Sequence, residues 1–301
     1  MTQQTFDAAL DAPDPQMPSQ DNTTQPALPP LPQALTGEGL GTYLLVLFGT
    51  GSVAAAVLTG ALQGLWQVAV VWGFGVTLAI YASAALSGAH LNPAVSLAFV
   101  LWRGREFPAR RLVPYIAAQL VGAVLAGATV AALFYRFIER FEHAKDIVRG
   151  MPGSELSAMI FGEYFPNPAM FGTGAAAHAL VSPWQCALVE GFGTAILVLV
   201  IFALTSPNNS IAPKANLVPF FIGFTVAVLI SLFAPLTQAG WNPARDFGPR
   251  LVAYVLGWGE IAIPGPRGGF WAYIVGPLIG GPIGGLVWQL TGQRFLAAPD
   301  G

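Results

Sequence analysis

The chain has 301 residues, 54% of them hydrophobic and only 9% charged, and its mean hydropathy is +0.60. A soluble domain carries about 25% charged residues, so this composition excludes an ordinary water-soluble fold and points to a polytopic membrane protein. The formal net charge of −2 says nothing about nucleic acid and no basic patch suggests such a partner, and the single cysteine, Cys186, excludes an intramolecular disulfide.

Residues 1–34 are rich in Gln, Pro, Thr and Asp and contain no Lys or Arg. A signal peptide needs a basic start and an apolar centre, so this stretch reads as a disordered tail. Six apolar spans follow, expected at about 38–58, 66–86, 112–135, 184–205, 215–235 and 270–292. Gly73, Gly75, Gly122, Gly127, Gly276, Gly280 and Gly284 are candidate helix crossings, since small residues let helices approach closely in lipid.

Between the second and third spans lies Ser87-Gly88-Ala89-His90-Leu91-Asn92-Pro93-Ala94-Val95, and between the fifth and sixth lies Gln238-Ala239-Gly240-Trp241-Asn242-Pro243-Ala244-Arg245-Asp246. Asn is a favoured N-cap and Pro suits the first helical position, so each motif reads as a helix start. From Pro93 to Trp102 only ten residues precede the Arg103, Arg105 cluster. At about 1.5 Å per residue that run covers roughly half of a 30 Å hydrocarbon core. The run from Pro243 to about Leu256 is slightly longer. Both are expected as re-entrant half-helices, because irregular backbone at membrane depth survives only where it is buried or lines a cavity. A third tripeptide, Asn167-Pro168-Ala169, sits in the turn-rich stretch Glu163-Tyr164-Phe165-Pro166 and is expected as loop.

The chain repeats itself. Glu38-Gly39-Leu40-Gly41-Thr42 recurs as Glu190-Gly191-Phe192-Gly193-Thr194, and Asn92-Pro93-Ala94 recurs at Asn242-Pro243-Ala244, offset by 152 and 150 residues. Each half holds three spans, an odd number, so the second half is inserted upside down. The expected fold is therefore an all-α membrane protein with six transmembrane helices and two re-entrant half-helices. Its body covers residues 35–293, with repeat one over 35–135, a connector over 136–183, repeat two over 184–293 and a C-terminal tail over 294–301. Six crossings put both termini on one side. Arg103, Arg105, Arg110, Arg111, Lys214 and Arg294 fall on that side and mark it as cytoplasmic. Arg136, Arg140, Lys145 and Arg149 oppose this, but they are interleaved with Glu139, Glu142 and Asp146.

Asn92 and Asn242 are the candidate pore-centre residues, each capping its own half-helix and offering a side-chain N–H donor to the lumen. Two converging helix N-termini would raise a barrier to cations and protons. Arg245 would add a charged donor in a narrow neck, with a structural pair to Asp246 as the rival reading. Glu38 and Glu190 are expected to support the two loops by accepting their backbone N–H groups, with a proton-relay role as the rival, and His90 belongs with the first loop. His143 and His178 are placed in loops. No nucleophile–base constellation, metal-ligand cluster or nucleotide motif is present, so no cofactor or metal is implied and the chain does not read as an enzyme. A membrane structural protein without flux would have no need of Arg245 in a half-helix.

At these motifs the chain closely resembles the aquaporin (major intrinsic protein) family over about residues 36–293. Asp246, continued as Phe247-Gly248-Pro249-Arg250, and the connector sequence Tyr164-Phe165-Pro166-Asn167-Pro168 look like the glycerol-facilitator branch. The resemblance implies a right-handed bundle in the plasma membrane, assembled as a homotetramer with one pore per subunit. It implies passive passage of glycerol, urea, small polyols and water. It also implies a constriction at Trp72, Ile230, Ala239 and Arg245. Trp72 and Arg245 match the glycerol branch, with Asp246 as its marker. Ile230 stands where that branch has Gly, and Ala239 where it has an aromatic. That pair looks more like some plant nodulin-type intrinsic proteins, which keeps a water-dominated or metalloid-hydroxide channel open as the alternative.

Overall fold

A computed structural model describes residues 28–213 and 216–296. Residues 1–27, 214–215 and the last five lie outside the described residues, and with them most of the expected tail and Lys214, one of the charges used to orient the chain. Eight principal helices make up the body: α1 Leu31–Ala54, α2 Leu65–Ser87, α3 Pro93–Trp102, α4 Leu112–Ala144, α5 Pro183–Leu204, α6 Val218–Thr237, α7 Pro243–Ala253 and α8 Ala272–Trp288. All but α3 and α7 belong to helical segments long and apolar enough to cross a membrane.

Several boundaries moved, for physical reasons. Residues 31–34, expected in the tail, form the first turn of α1, with Pro30 as the N-cap residue and Pro32 in the first turn, where no backbone N–H is needed. Helix α4 runs nine residues past the expected end of its span. Hydropathy marks where lipid stops, but here the helix continues as a charged rod with Arg136 paired to Glu139 at 3.2 Å, one turn on. His143 therefore lies in the last turn of α4, and His178 ends a one-turn helix over Ala175–His178, neither in a loop. Regular α-helix in α7 ends at Ala253, and the chain continues in a wider turn to Trp258. Asn167-Pro168-Ala169, expected as loop, also caps a helix, but one of only four residues, Pro168–Phe171. The tripeptide encodes a cap, and the residues after it set the length of the helix.

The two halves pack as inverted counterparts. Helix α1 lies against α4 and α2, α5 against α8 and α6, while α2 crosses α6 to join the halves. At these crossings glycine is required by the distance between backbones: a Cβ on Gly280 would lie 1.9 Å from the carbonyl oxygen of Gly191, and one on Gly122 2.2 Å from that of Gly39. Half-helix α3 packs on α8, and α7 on α4. The far end of α3 meets the end of α5, where Arg103 donates to Thr205 Oγ1 at 2.8 Å and lies over Phe202. Beyond α7, Leu256 accepts from Arg149, just past the end of α4. Since α4 starts near the end of α3, the two half-helices run in opposite directions from a shared centre.

Candidate solute pathway

The centre is built by two loops with the same backbone. Gly88, Ala89 and Leu91 have positive φ, as do Gln238, Ala239 and Trp241, each 150 residues later. Left-handed conformations at non-glycine residues cost free energy and persist only where the surroundings over-determine them. Here a buried carboxylate does so in each half. Glu38 accepts from the backbone N–H groups of His90 at 2.9 Å and Leu91 at 2.7 Å. Glu190 accepts from those of Gly240 at 3.1 Å and Trp241 at 2.7 Å. Ser87 Oγ and Gln119 Nε2 complete the shell around Glu38, both at 2.7 Å. The His90 ring is packed among Phe99, Phe107 and Tyr115, tilted or edge-on to each, with Nδ1 3.2 Å from Ser96 Oγ.

Asn92 Oδ1 caps α3 through Ala94 N–H at 2.8 Å, and Asn242 Oδ1 caps α7 through Ala244 at 3.1 Å and Arg245 at 3.2 Å. Each amide nitrogen also donates across the centre, beyond the capping role expected of the side chain. Asn92 Nδ2 donates across the centre to Trp241 O at 2.9 Å, and Asn242 Nδ2 returns the bond to Leu91 O at 2.8 Å. Each amide has two N–H groups, so one locks the loops together and one remains.

Two cavities lie along this axis. One, of about 250 Å³, runs past both asparagines and His90, and its opposite wall is apolar, made by Val76, Ile80, Ile222 and Val226 among others. The second, of about 290 Å³, lies on the connector side and is lined by Met159, Glu163, Asn167 and Gln238. Trp72, Ile230 and Arg245 line both cavities, and Ala239 lines the first. The Arg245 guanidinium sits 4.5 Å from the Trp72 ring centroid. Trp72 can lie there because Gly49 faces it: a Cβ at 49 would come within 2.1 Å of Cη2.

The charge pairing removes the rival reading of Arg245. Arg245 does not pair with Asp246 but with Glu163 of the connector. Asp246 pairs with Arg250 at 2.8 Å and accepts the Glu163 backbone N–H at 2.7 Å. Arg250 also reaches the carbonyls of Ala262 and Glu163. The connector is further tied by Tyr164 N–H to Gln238 Oε1 at 2.8 Å, and by Asn167, whose backbone and side chain donate to Pro235 O and Ala234 O. Sequence reasoning missed Glu163, Arg250, Gln238 and Gly49 as parts of the site. An acidic residue inside an otherwise neutral, turn-rich stretch was the available signal for Glu163.

Among the described residues there is no His/Cys/Asp/Glu group able to hold a metal, and Cys186 is buried and unpaired. The major intrinsic protein family matches residues 28–288. The glycerol uptake facilitator protein of Pseudomonas aeruginosa is 45% identical, over 92% of this chain and 96% of its own. The propanediol uptake facilitator of Citrobacter freundii is 43% identical, over 86% and 91%. Among solved structures, the aquaglyceroporin from Plasmodium falciparum superposes with a TM-score of 0.74 at 25% identity, covering 89% of this chain and 99% of that one. The matched span, the paired asparagine caps and the opposed half-helices agree: this chain belongs to the major intrinsic protein family, whose members are passive membrane channels and not enzymes.

Proposed function

We propose that this chain conducts glycerol and other small uncharged solutes, such as urea and small polyols, together with water, and excludes ions and protons. The observation that carries the reading is the lumen's two-sided chemistry, an apolar wall facing a polar one, drawn together at Trp72 and Arg245. A polyol has a carbon edge and a hydroxyl edge, and such a channel offers each its match. The relatives named for glycerol and propanediol uptake support the same solute class.

In this reading Trp72, Ile230, Ala239 and Arg245 form the constriction, Asn92 and Asn242 the pore centre, and Glu38, Glu190 and His90 hold the loops. Asp246 serves the branch structurally, as the anchor of Arg250. The N-termini of α3 and α7 face each other at the centre and oppose cations. The protein would lie in the plasma membrane with both termini cytoplasmic, the residues before Leu31 on the cytoplasmic side, and would assemble as a homotetramer.

Stopped-flow light scattering on proteoliposomes tests this. An impermeant osmolyte should cause fast shrinkage, and glycerol should then cause fast re-swelling. Shrinkage without re-swelling would favour the second reading, a water-dominated or metalloid-hydroxide channel, which Ile230 and Ala239 motivate because they reshape the neck. A proton-coupled transporter is disfavoured, since Glu38 and Glu190 are occupied by loop N–H groups and line neither cavity.

A further inference from the structure

Five ionisable side chains are buried together behind the second loop: Glu163 of the connector, Glu190 of α5, and Arg245, Asp246 and Arg250 of α7. Three of them are well served. Asp246 receives two contacts from Arg250 and one backbone N–H, Glu190 receives two backbone N–H groups, and Arg250 reaches two carbonyls as well as Asp246. Glu163 is different. Its carboxylate meets Arg245, yet neither oxygen has a hydrogen-bond donor in good geometry, and Arg245 Nη1 is likewise unpartnered. The Arg245 guanidinium is thus clamped between the Trp72 ring on one side and a single carboxylate on the other.

That clamp stands at the place where the two cavities join, and Glu163 lines the cavity on the connector side. A buried charge that loses its partner is costly and moves toward water. For Arg245 the nearest water is the lumen. We propose that Glu163 is a positioning residue for conduction: ionised, it clamps Arg245 to the wall of the neck, and neutralised, it releases the guanidinium into the lumen and slows solute. This inference rests on the channel reading above.

The charged and titratable groups that face Glu163 are Arg245, Asp246 and Arg250 from α7, Glu190 from α5 and Tyr273 from α8. Burial pushes its carboxyl up to about 8, against the pull of Arg245, while Asp246 and Glu190 add to the rise. A carboxyl raised in this way is neutral below that pH and ionised above it, so release belongs to the acid side.

The test is glycerol flux in proteoliposomes with equal pH on both faces, taken from about pH 9 to about pH 6, for wild type, Glu163→Gln and Glu163→Asp. Wild-type flux should fall several-fold on acidification. Glu163→Gln should be flat at the wild-type acid level, and Glu163→Asp should restore a pH-dependent profile. A flat wild-type profile, or a Glu163→Gln profile that follows wild type, overturns the proposal. If Glu163→Gln does not assemble, infrared spectra decide: a protonated-carboxyl band should grow in on acidification of wild type and shift in Glu163→Asp, and its absence is also refuting. Water flux is recorded in the same vesicles. If wild type passes water but no glycerol, the solute reading fails, and the pH profile of water flux then supports or refutes the clamp on its own.

Discussion

Asp246 and Arg250, one turn apart in α7, form a fully buried ion pair with contacts of 2.8 and 2.9 Å. The pair binds more than its own helix, because Asp246 also accepts from Glu163 N–H and Arg250 also donates to Ala262 O and Glu163 O. Half-helix, connector and the turn before α8 therefore share one charged node. Removing one member of such a pair leaves an uncompensated buried charge and costs about 3–5 kcal/mol. Arg250→Leu should lower the thermal midpoint of detergent-solubilised protein sharply. The double change Asp246→Leu with Arg250→Leu should lose less than the single one. An unchanged midpoint for Arg250→Leu would show that the node is dispensable.

At the neck, Ala239 lines the cavity that contains the asparagines, and Ile230 lines both cavities. A small side chain at 239 leaves room beside Trp72 and Arg245 that an aromatic would fill. Ala239→Phe should therefore lower the flux of glycerol several-fold more than that of water, because the wider solute meets the narrowed neck first. Stopped-flow measurement of both fluxes in one preparation gives the ratio. An unchanged ratio would place Ala239 outside the constriction.

The parts of this protein that a sequence reader recovers are those encoded locally or twice. An N-cap followed by proline is a local instruction, and the matching positions of Glu38 with Glu190 and of Asn92 with Asn242 announce a symmetric device before any coordinate is known. The clamp on Arg245 is of another kind. Glu163 lies 82 positions from Arg245 in a stretch without periodicity, and only the folding of the connector into the mouth brings them together. Asp246 was the nearer acid in sequence, but consecutive residues on a helix point about 100° apart and do not face each other. The partner one turn on, Arg250, does. Helix α4 was underestimated because apolar composition reports the lipid boundary, not the end of backbone hydrogen bonding.

Gly49 and Trp72 present a packing prediction. The missing Cβ of Gly49 is the space in which the indole edge rests, and a methyl group there would stand 2.1 Å from Cη2. No real contact is that short, so Gly49→Ala must displace the ring, α1 or both. Overpacking of a close-packed interior costs about 1–3 kcal/mol. Trp72 is free to yield only toward the cavity. The expected outcome is a folded protein with glycerol flux reduced several-fold, read by the same vesicle assay alongside size-exclusion profiles. Wild-type flux in Gly49→Ala would mean that Trp72 does not border the neck.

Glu190 and the second loop separate a structural from a proton-carrying carboxylate. Each of its oxygens receives one backbone N–H, from Gly240 and from Trp241, in the stretch where Ala239 and Trp241 are left-handed. Glu190→Gln keeps the shape but replaces one acceptor oxygen by a donor, so one buried N–H loses its partner at a cost of about 1–3 kcal/mol. The loop should loosen, lowering the thermal midpoint and, through the shifted position of Asn242, the flux. What should not appear is coupling to protons. In Glu163→Gln, which lacks the titrating clamp, glycerol flux should be the same whichever way an imposed proton gradient of equal mean pH is directed. A flux that follows the direction of that gradient would make Glu190 or Glu38 a relay, and the loop-supporting role would then be secondary.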